Sequence, residues 1–557
     1  MYACLCRLVV ALVLALSSVA AVAQVIPPSE QPGRERERFT QPQAPLAQPG
    51  GTAISLPSTV APKGAEKIFI RVRSVRIVGS TVYTADQLAP LYVDLIGKRV
   101  SLAEIYNLAQ RITAKYGNDG YVLSRAVVPP QELDPKGAEV RIEVVEGWIS
   151  HVEWPKGLAR YRDFFSDYAA KIKAQRPANI RVMERYLLLA GDLPGLKFSS
   201  SLKPDPKITG ASILIVQVTE KPFGAYGQVD NRGTAARGPL EFLGSATLNN
   251  LTGQHEALTL TYAGVVPWDE LHYAAFNYKQ VLTSEGLFFF ADGSDAWGTP
   301  GTVPLELLQY RTLGPYGDAG FSDPVIRARE SNLTLTGLFF ASNNDAYVLG
   351  APFTDDRLRG FRAKVDADYA DQSQAINQFN VTVSQGILGL GSTSDNNPLA
   401  SRTAGRVDFD KIEATVSRTQ PLFDRFSAYV SGYGQYAFTP LLVPEQCSFG
   451  GRYFGRAYDP SALLGDTCLE GIGELRYDVP TQPLPLAKTA QLYGFSDYGQ
   501  LYTRDAALGT PVFQQAASAG TGLRLGWNNF SADLQAAKAI EGPLDIWRFF
   551  FILTARY

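Results

Sequence analysis

The sequence predicts two small α+β modules followed by a transmembrane antiparallel β-barrel of about 16 strands. Three observations predict this. Residues 1–23 carry a basic start at Arg7, an apolar run from Leu8 to Val22 and the small-residue end Ala21-Val22-Ala23, the pattern of a cleaved secretory signal peptide. Two consecutive stretches then read as strand, helix, helix, strand, strand. After Pro222 helix periodicity fades, and segments of about ten residues alternate apolar and polar side chains. No later segment is an apolar run long enough for a spanning helix, so membrane passage falls to strands, the other structure that satisfies its backbone in lipid.

Residues 24–66 are rich in Pro and Gln and hold the charged patch Arg34-Glu35-Arg36-Glu37-Arg38. Such a segment cannot bury enough apolar surface to fold alone. It is expected to be a floppy tether, with room for at most a short plug helix between Pro32-Gly33 and Pro42.

The first module spans 67–148. Val72, Val75 and Ile77 mark a strand, Thr84 caps a short helix through Leu88, and Ser101 opens a longer one with Ile105, Leu108, Ile112 and Tyr116 at helical spacing. Gly117 and Gly120 stop it. A strand from Tyr121 to Val128 and another from Ala138 to Val145 follow. The second module, 149–221, repeats the order: strand Val152 to Trp154, helices Tyr161 to Ala174 and Arg181 to Ala190, then strands around Lys197 to Leu202 and Ile213 to Val218.

Residues 222–557 form the barrel. In Glu256 to Ala263, Leu258, Leu260 and Tyr262 oppose Thr259 and Thr261, a period of two. The last strand sets Trp547, Phe549, Phe551, Leu553, Ala555 and Tyr557 on one face and Arg548, Thr554 and Arg556 on the other; Phe550 and Ile552 interrupt the polar face. Aromatic ends with aliphatics between suit lipid, and the opposite face suits a polar interior.

A hydrophobic content of 45% excludes global disorder, and a net charge of -2 offers no basic surface for nucleic acid. Cys4 and Cys6 lie in the leader. Cys447 and Cys468 bracket Arg456, and an oxidising compartment favours a disulfide between them, although sequence gives no distance. His151, His255 and His272 are scattered, so neither a metal site nor a nucleophile-base cluster is expected, and no phosphate-binding Gly-Lys run occurs. No catalytic residue and no cofactor are expected.

Tyr121-Val122-Leu123-Ser124-Arg125-Ala126-Val127-Val128-Pro129-Pro130-Gln131, with Val140 to Gly147 after it, resembles the first POTRA domain of two-partner secretion (TpsB) outer-membrane transporters of the hemolysin/adhesin secretion type. Arg185-Tyr186-Leu187-Leu188-Leu189-Ala190-Gly191-Asp192-Leu193-Pro194-Gly195, then Leu202-Lys203-Pro204 and Glu220-Lys221-Pro222, is similar to that family's second POTRA domain and its entry into the barrel. The family carries an Arg on an inward-folded loop and a Phe-x-Asp motif on a nearby strand. Here Arg456 stands in Gly455-Arg456-Ala457-Tyr458 and Asp497 in Phe495-Ser496-Asp497.

The resemblance implies that Arg456 and Asp497, with Phe495 and Tyr458, lock the loop to the barrel wall through an ion pair. By the residues alone Arg456 is equally a solvated loop residue. Gly455 and Ala457 replace the Val and the Gly of the family's Val-Arg-Gly-aromatic motif, which questions the backbone at the tip. In the POTRA domains, Tyr121, Ser124, Arg125, Arg185 and Leu188 are the candidate client-binding residues, and an exposed sheet edge could accept an extended client strand. The implied function is export, without nucleotide hydrolysis, of an unfolded secreted partner (TpsA-like) from the periplasm across the outer membrane. Lipid and the barrel assembly machinery are the other implied partners. An assembly factor of the same superfamily is the alternative reading. A passive porin would need no such front end, and an outer-membrane enzyme would need a catalytic cluster.

Overall fold

The computed structural model describes residues 26–39, 44–50, 61–155, 157–158, 161–394, 397–481, 487–505, 507 and 512–557. The expected signal peptide lies outside them. Among the described residues no helix is long and apolar enough to cross a membrane.

After a short helix α1 (Glu35–Phe39), the first module contains β1 (Phe69–Val78), α2 (Ala85–Leu88), β2 (Arg99–Ser101), α3 (Leu102–Asn118), β3 (Arg125–Val127) and β4 (Ala138–Val145). Thr84 and Gln87 form a capping box on α2. Ser101 caps α3, its Oγ accepting from the Glu104 amide at 3.3 Å. Ile105, Leu108, Ile112 and Tyr116 share one face of α3 and are fully buried against the sheet. Each such side chain contributes about 1.5–3 kcal/mol. The sheet order is β2-β1-β4-β3, with β1 and β4 parallel, so β3 is an edge.

That edge is shorter than the strand expected from Tyr121 to Val128. Residues 121–124 turn instead into the junction with the second module, where the Ile180 amide donates to the Gly120 carbonyl at 2.8 Å and the Ala178 amide to Gly147 at 2.8 Å. A side chain at Gly147 would collide with the Leu123 carbonyl at 2.3 Å, so the close approach requires glycine.

The second module comprises β5 (Trp148–Glu153), α4 (Arg162–Ala174), α5 (Ile180–Gly191), β6 (Leu196–Pro204) and β7 (Ala211–Glu220). Its sheet order is β5-β7-β6, with β5 and β7 parallel, repeating the parallel pairing and antiparallel neighbour of the first.

The barrel strands are β8 (Phe223–Asp230), β9 (Leu240–Asn249), β10 (Glu256–Val266), β11 (His272–Val281), β12 (Phe288–Gly298), β13 (Arg311–Leu313), β14 (Tyr316–Arg327) and β15 (Ser331–Val348). There follow β16 (Ala351–Ala370), β17 (Ile376–Gly386), β18 (Asp410–Pro421) and β19 (Phe426–Ala437). A hairpin of β20 (Cys447–Phe449) and β21 (Leu463–Gly465) precedes β22 (Thr467–Val479), β23 (Thr489–Tyr502), β24 (Phe513–Gly526), β25 (Phe530–Glu541) and β26 (Trp547–Arg556). A short helix α6 (Val303–Leu307) sits between β12 and β13. β13 and β14 are one strand interrupted at Gly314-Pro315, where proline lacks the ladder donor. Counting them together gives a closed antiparallel barrel of 16 strands. It closes where β26 pairs with β8, from Ile552 opposite Asp230 to Arg556 opposite Tyr226.

Leu260, Phe276, Phe361, Val416, Leu475 and Leu534 face outward, and exposed Trp268 and Trp547 at one rim face Trp527 and Tyr557 at the other. This is the apolar band with aromatic girdles of a barrel in lipid. Phe550 and Ile552, which interrupted the polar face of the last strand, point into the lumen and are buried. Phe550 serves as the platform for the Arg232 guanidinium, 4.3 Å from the ring.

The second module docks on the near end of the barrel. Arg327 of β14 grips Asp192 with two contacts of 2.6 and 2.9 Å. Glu285, in the β11–β12 turn, accepts from Lys171 (2.7 Å), Tyr186 (3.0 Å) and Arg185 (3.3 Å). His255, in the β9–β10 turn, lies between Tyr161 and Phe164, with ring centroids 5.3 and 4.1 Å away. Burial holds the imidazole below its ordinary pKa of 6.5, against the partial counterweight of Glu256 and Asp163. Because the docked state binds the proton less well, docking is complete above about pH 6.5 and weakens as pH falls below it. Protection factors for amide exchange in residues 161–174, which remove the intrinsic pH dependence of the rate, are therefore expected to fall below about pH 6 in the native chain and to stay level in His255→Phe; identical profiles would refute this role.

Candidate functional site in the barrel lumen

The chain between β19 and β22 does not project from the far rim. It folds into the lumen as the β20–β21 hairpin, whose tip is residues 450–462. Cys447 and Cys468 form a disulfide with Cα atoms 6.5 Å apart, fastening the hairpin to the start of β22. Positive φ at the tip falls on Gly450 (123°), Gly451 (116°), Gly455 (68°) and Ser461 (55°). At Gly455 a side chain would also strike Phe449 at 2.7 Å. Ala457 is not among the positive-φ residues, which resolves the question raised by the altered motif: the position that lost glycine does not need it, and the positive φ falls one residue before Arg456, at Gly455.

Phe495 and Asp497 alternate on the lumenal face of β23, both buried. Asp497 accepts from the Arg456 backbone amide at 3.1 Å and from Ser518 Oγ at 2.6 Å. The expected ion pair with the Arg456 guanidinium is not formed. That group lies over the Phe495 ring at 4.7 Å and donates instead to Glu474 Oε2 at 2.7 Å. The register explains the choice. Glu474 of β22 is directly opposite Phe495, whereas Asp497 lies two residues further along, opposite Ile472. A long side chain resting on Phe495 therefore ends beside Glu474, and the shorter Asp497 carboxylate holds the loop backbone. Tyr458 is buried, with its hydroxyl donating to the Glu541 carbonyl and its ring 5.8 Å from Phe449.

Glu474 is the center of this arrangement and was not singled out from sequence. Besides Arg456 it takes Arg476 at 2.6 Å and Arg524 at 2.6 and 3.0 Å. Its side chain is completely buried. The available signal was Glu470 and Glu474 alternating with exposed Leu469 and Leu475 just after the hairpin, acids on a lumenal face that needs cations.

The lumen also holds the N-terminal segment, and the expected floppy tether is corrected here. Ile26 packs beside Leu305, Tyr310 and Ala346 at the far end, while Gln48 donates to the Arg329 carbonyl at the near end, 2.8 Å. Glu30, Arg34 and Glu35 are buried. Arg237, completely buried, reaches Glu30 at 2.7 Å, Glu35 at 2.9 Å and Thr312 at 2.7 Å. Arg34 donates to the carbonyls of Val443 (3.0 Å) and Gln446 (2.7 Å) next to the inward hairpin. Charges that cannot fold alone are ordered here by complementary charges on the wall.

Four candidate client-binding residues have other work or little exposure. Ser124 is buried and its Oγ accepts from the Gly147 amide at 3.2 Å, part of the inter-module junction. Tyr121 is half-buried, 6.1 Å from the Tyr116 ring. Arg185 is committed to Glu285 and to the carbonyls of Pro324 (3.4 Å) and Val325 (3.2 Å) on the barrel. Leu188 is half-buried on α5. Arg125 alone of the five is exposed, on the edge strand β3. Among the described residues no group of three or more His, Cys, Asp or Glu is placed to hold a metal.

Comparisons with known proteins agree with this architecture. Residues 70–147 match the POTRA domain, ShlB-type, and residues 316–525 match the haemolysin secretion/activation protein ShlB/FhaC/HecB. The Heme/hemopexin transporter protein HuxB of Haemophilus influenzae is 29% identical over 83% of this chain and 81% of its own length. The outer membrane transporter CdiB of Dickeya dadantii is 20% identical over 77% of this chain and 76% of its own. The structure of CdiB from Escherichia coli superposes with a TM-score of 0.68, at 18% identity, over 97% of this chain and 98% of that one, a likeness of fold.

Fold, lumenal site and matches together define an outer-membrane β-barrel transporter with a POTRA front end. The chain is similar, in its first module and across most of its barrel, to the ShlB/FhaC/HecB haemolysin secretion/activation proteins, the TpsB transporters of two-partner secretion.

Proposed function

We propose that this protein captures an unfolded secreted partner of hemolysin or adhesin type in the periplasm and conducts it outward through the barrel. The observation that carries the reading is the docking of the second module, which follows an edge-bearing first module, on a barrel whose lumen holds the hairpin and the N-terminal segment. β3 pairs with β4 on one side only and carries exposed Arg125; on its other side the Ala126 amide donates to Thr113 Oγ1 at 2.9 Å, a contact that an incoming client strand displaces. An extended client can add a strand there through backbone hydrogen bonds, which tolerate many client sequences. We read the second module as a second POTRA domain, fixed to the barrel by Arg185, Arg327 and Glu285. Export draws on client folding outside the cell rather than on nucleotide hydrolysis. The hairpin and the N-terminal segment close the resting lumen, and both must shift for a chain to pass.

The test is secretion of a co-expressed partner by cells carrying this chain, compared with cells lacking it. Export that requires the chain supports the reading; normal export without it, together with misassembled porins, would favor an assembly factor. Deleting residues 68–147 is expected to leave a barrel in the outer membrane and to abolish client recovery in a pull-down, and full-strength recovery would exclude the edge as the capture site.

A further inference from the structure

Along one lumenal cavity arginines outnumber carboxylates. A cavity of about 340 Å³ lies between the hairpin tip and the wall on either side of the β8–β26 seam. Arg232, Arg452, Arg456, Arg524 and Arg556 line it, with Asp533 as the sole acid among the lining residues. Arg456 and Arg524 share Glu474, and Arg524 also approaches Asp533 at 3.4 Å. Among the described residues no carboxylate stands at ion-pair distance from Arg232, Arg452 or Arg556. Arg452 reaches only the Gln228 amide oxygen at 3.4 Å, and Arg556 only approaches the Tyr226 ring at 5.6 Å.

Hydrogen-bonding capacity is unbalanced in the same direction. Arg232 Nε, Arg456 Nε and Gln535 Nε2 are buried donors with no acceptor, and no lining residue carries an orphaned acceptor. Arg232, Arg456 and Gln535 are only 7%, 9% and 8% exposed. Three unsatisfied donors among crowded guanidinium groups are costly, and an oxyanion relieves both the repulsion and the missing bonds.

The spread of the charges selects the kind of oxyanion. Arg556 lies at the level of Tyr226, near the periplasmic rim, while Arg232 follows Asp230, which pairs with Ile552 four residues further up the seam. At about 3.3 Å per residue these levels are about 13 Å apart along the strand direction. A compact ion meets one end of such a row; an extended chain meets all of it.

We propose that this cavity is a binding station for the carboxylate side chains of an extended polypeptide entering the lumen from the periplasm. This rests on the reading that a polypeptide crosses the lumen. The first acidic stretch of a client is held by the seam wall and hairpin tip together, placing the client against the loop that must move.

The test uses the full-length chain purified in detergent and a fluorescent hexa-glutamate peptide, with hexa-glutamine and inorganic phosphate as further probes. Saturable hexa-glutamate binding that weakens with salt is expected, with hexa-glutamine silent. The Arg232→Gln/Arg452→Gln double variant is expected to lose about tenfold or more in affinity. Arg556→Gln, at the accessible end, is expected to weaken the peptide while leaving phosphate unaffected, and heat-modifiable migration verifies that each barrel is folded. Equal binding of the two peptides, or unchanged affinity in both variants, overturns the proposal. Phosphate binding that depends on Arg232 and Arg452 without hexa-glutamate binding overturns the polypeptide assignment in favor of a small-ion site. Peptide binding is read on purified protein and export in cells, so either reading can fail while the other stands.

Discussion

Glu474→Ala is expected to abolish export while the barrel still reaches the outer membrane in normal amount. Glu474 is the common acceptor for Arg456, Arg476 and Arg524, at 2.6–2.7 Å for the shortest contact of each. Its loss strands three cations in a confined lumen, and breaking a buried pair by removing one partner costs about 3–5 kcal/mol. Arg524 keeps Asp533 at 3.4 Å, but the Arg456 guanidinium keeps only its aromatic contacts. Repulsion among the three then drives the hairpin tip from the wall. Arg456→Ala is expected to impair export less, because Glu474 retains two arginines. Asp497→Ala removes the acceptor of one backbone amide and one hydroxyl, and is expected to loosen the tip by about 1–3 kcal/mol. Secretion of the partner, scored beside outer-membrane abundance and protease cleavage within residues 450–462, checks the ranking. Export by Glu474→Ala equal to that of the parent, at equal abundance, would remove Glu474 from its central place.

Arg237→Ala is expected to release the N-terminal segment and raise the resting conductance of the barrel. Glu30 keeps Arg38 at 3.5 Å, but Glu35 is left with a hydroxyl donor alone, Thr312 at 2.9 Å. Both acids have completely or almost completely buried side chains, so the cost is again about 3–5 kcal/mol. The segment has few apolar anchors, chiefly Ile26 and Phe39, the latter 4.9 Å from Tyr273, so burial cannot hold it unaided. Planar-bilayer recordings should show conductance close to that of a chain lacking residues 26–39. A conductance as low as that of the parent would show that the segment is held by something other than this cluster.

Much of the fold was legible in the sequence, because it rests on local rules. Ile105, Leu108, Ile112 and Tyr116 at helical spacing, capped by Ser101, specify α3. Period-two alternation specifies the barrel strands, and a closed sheet is the solution that leaves no unpaired edge in lipid. The motif residues Arg456, Phe495 and Asp497 do meet at the lumenal wall, yet their partners are not those the motif implied. Strand register selects the carboxylate opposite a given side chain, and it moved the Arg456 charge from Asp497 to Glu474. Ser124 and Arg185 were read as binding residues because they sit in distinctive motifs, whereas those motifs serve the junction between modules and the docking to the barrel.

The charged run at residues 34–38 shows the division most clearly. Composition determines that it cannot fold by itself, since ion pairs in water contribute too little to order a chain. Whether it trails in solvent or is bound depends on Arg237, some two hundred residues away, and on a wall that excludes water around both. Local sequence fixes which residues must be strand, helix or polar face. Closure of the barrel decides which distant charges share one low-dielectric space, and their pairing there is stronger than any local preference.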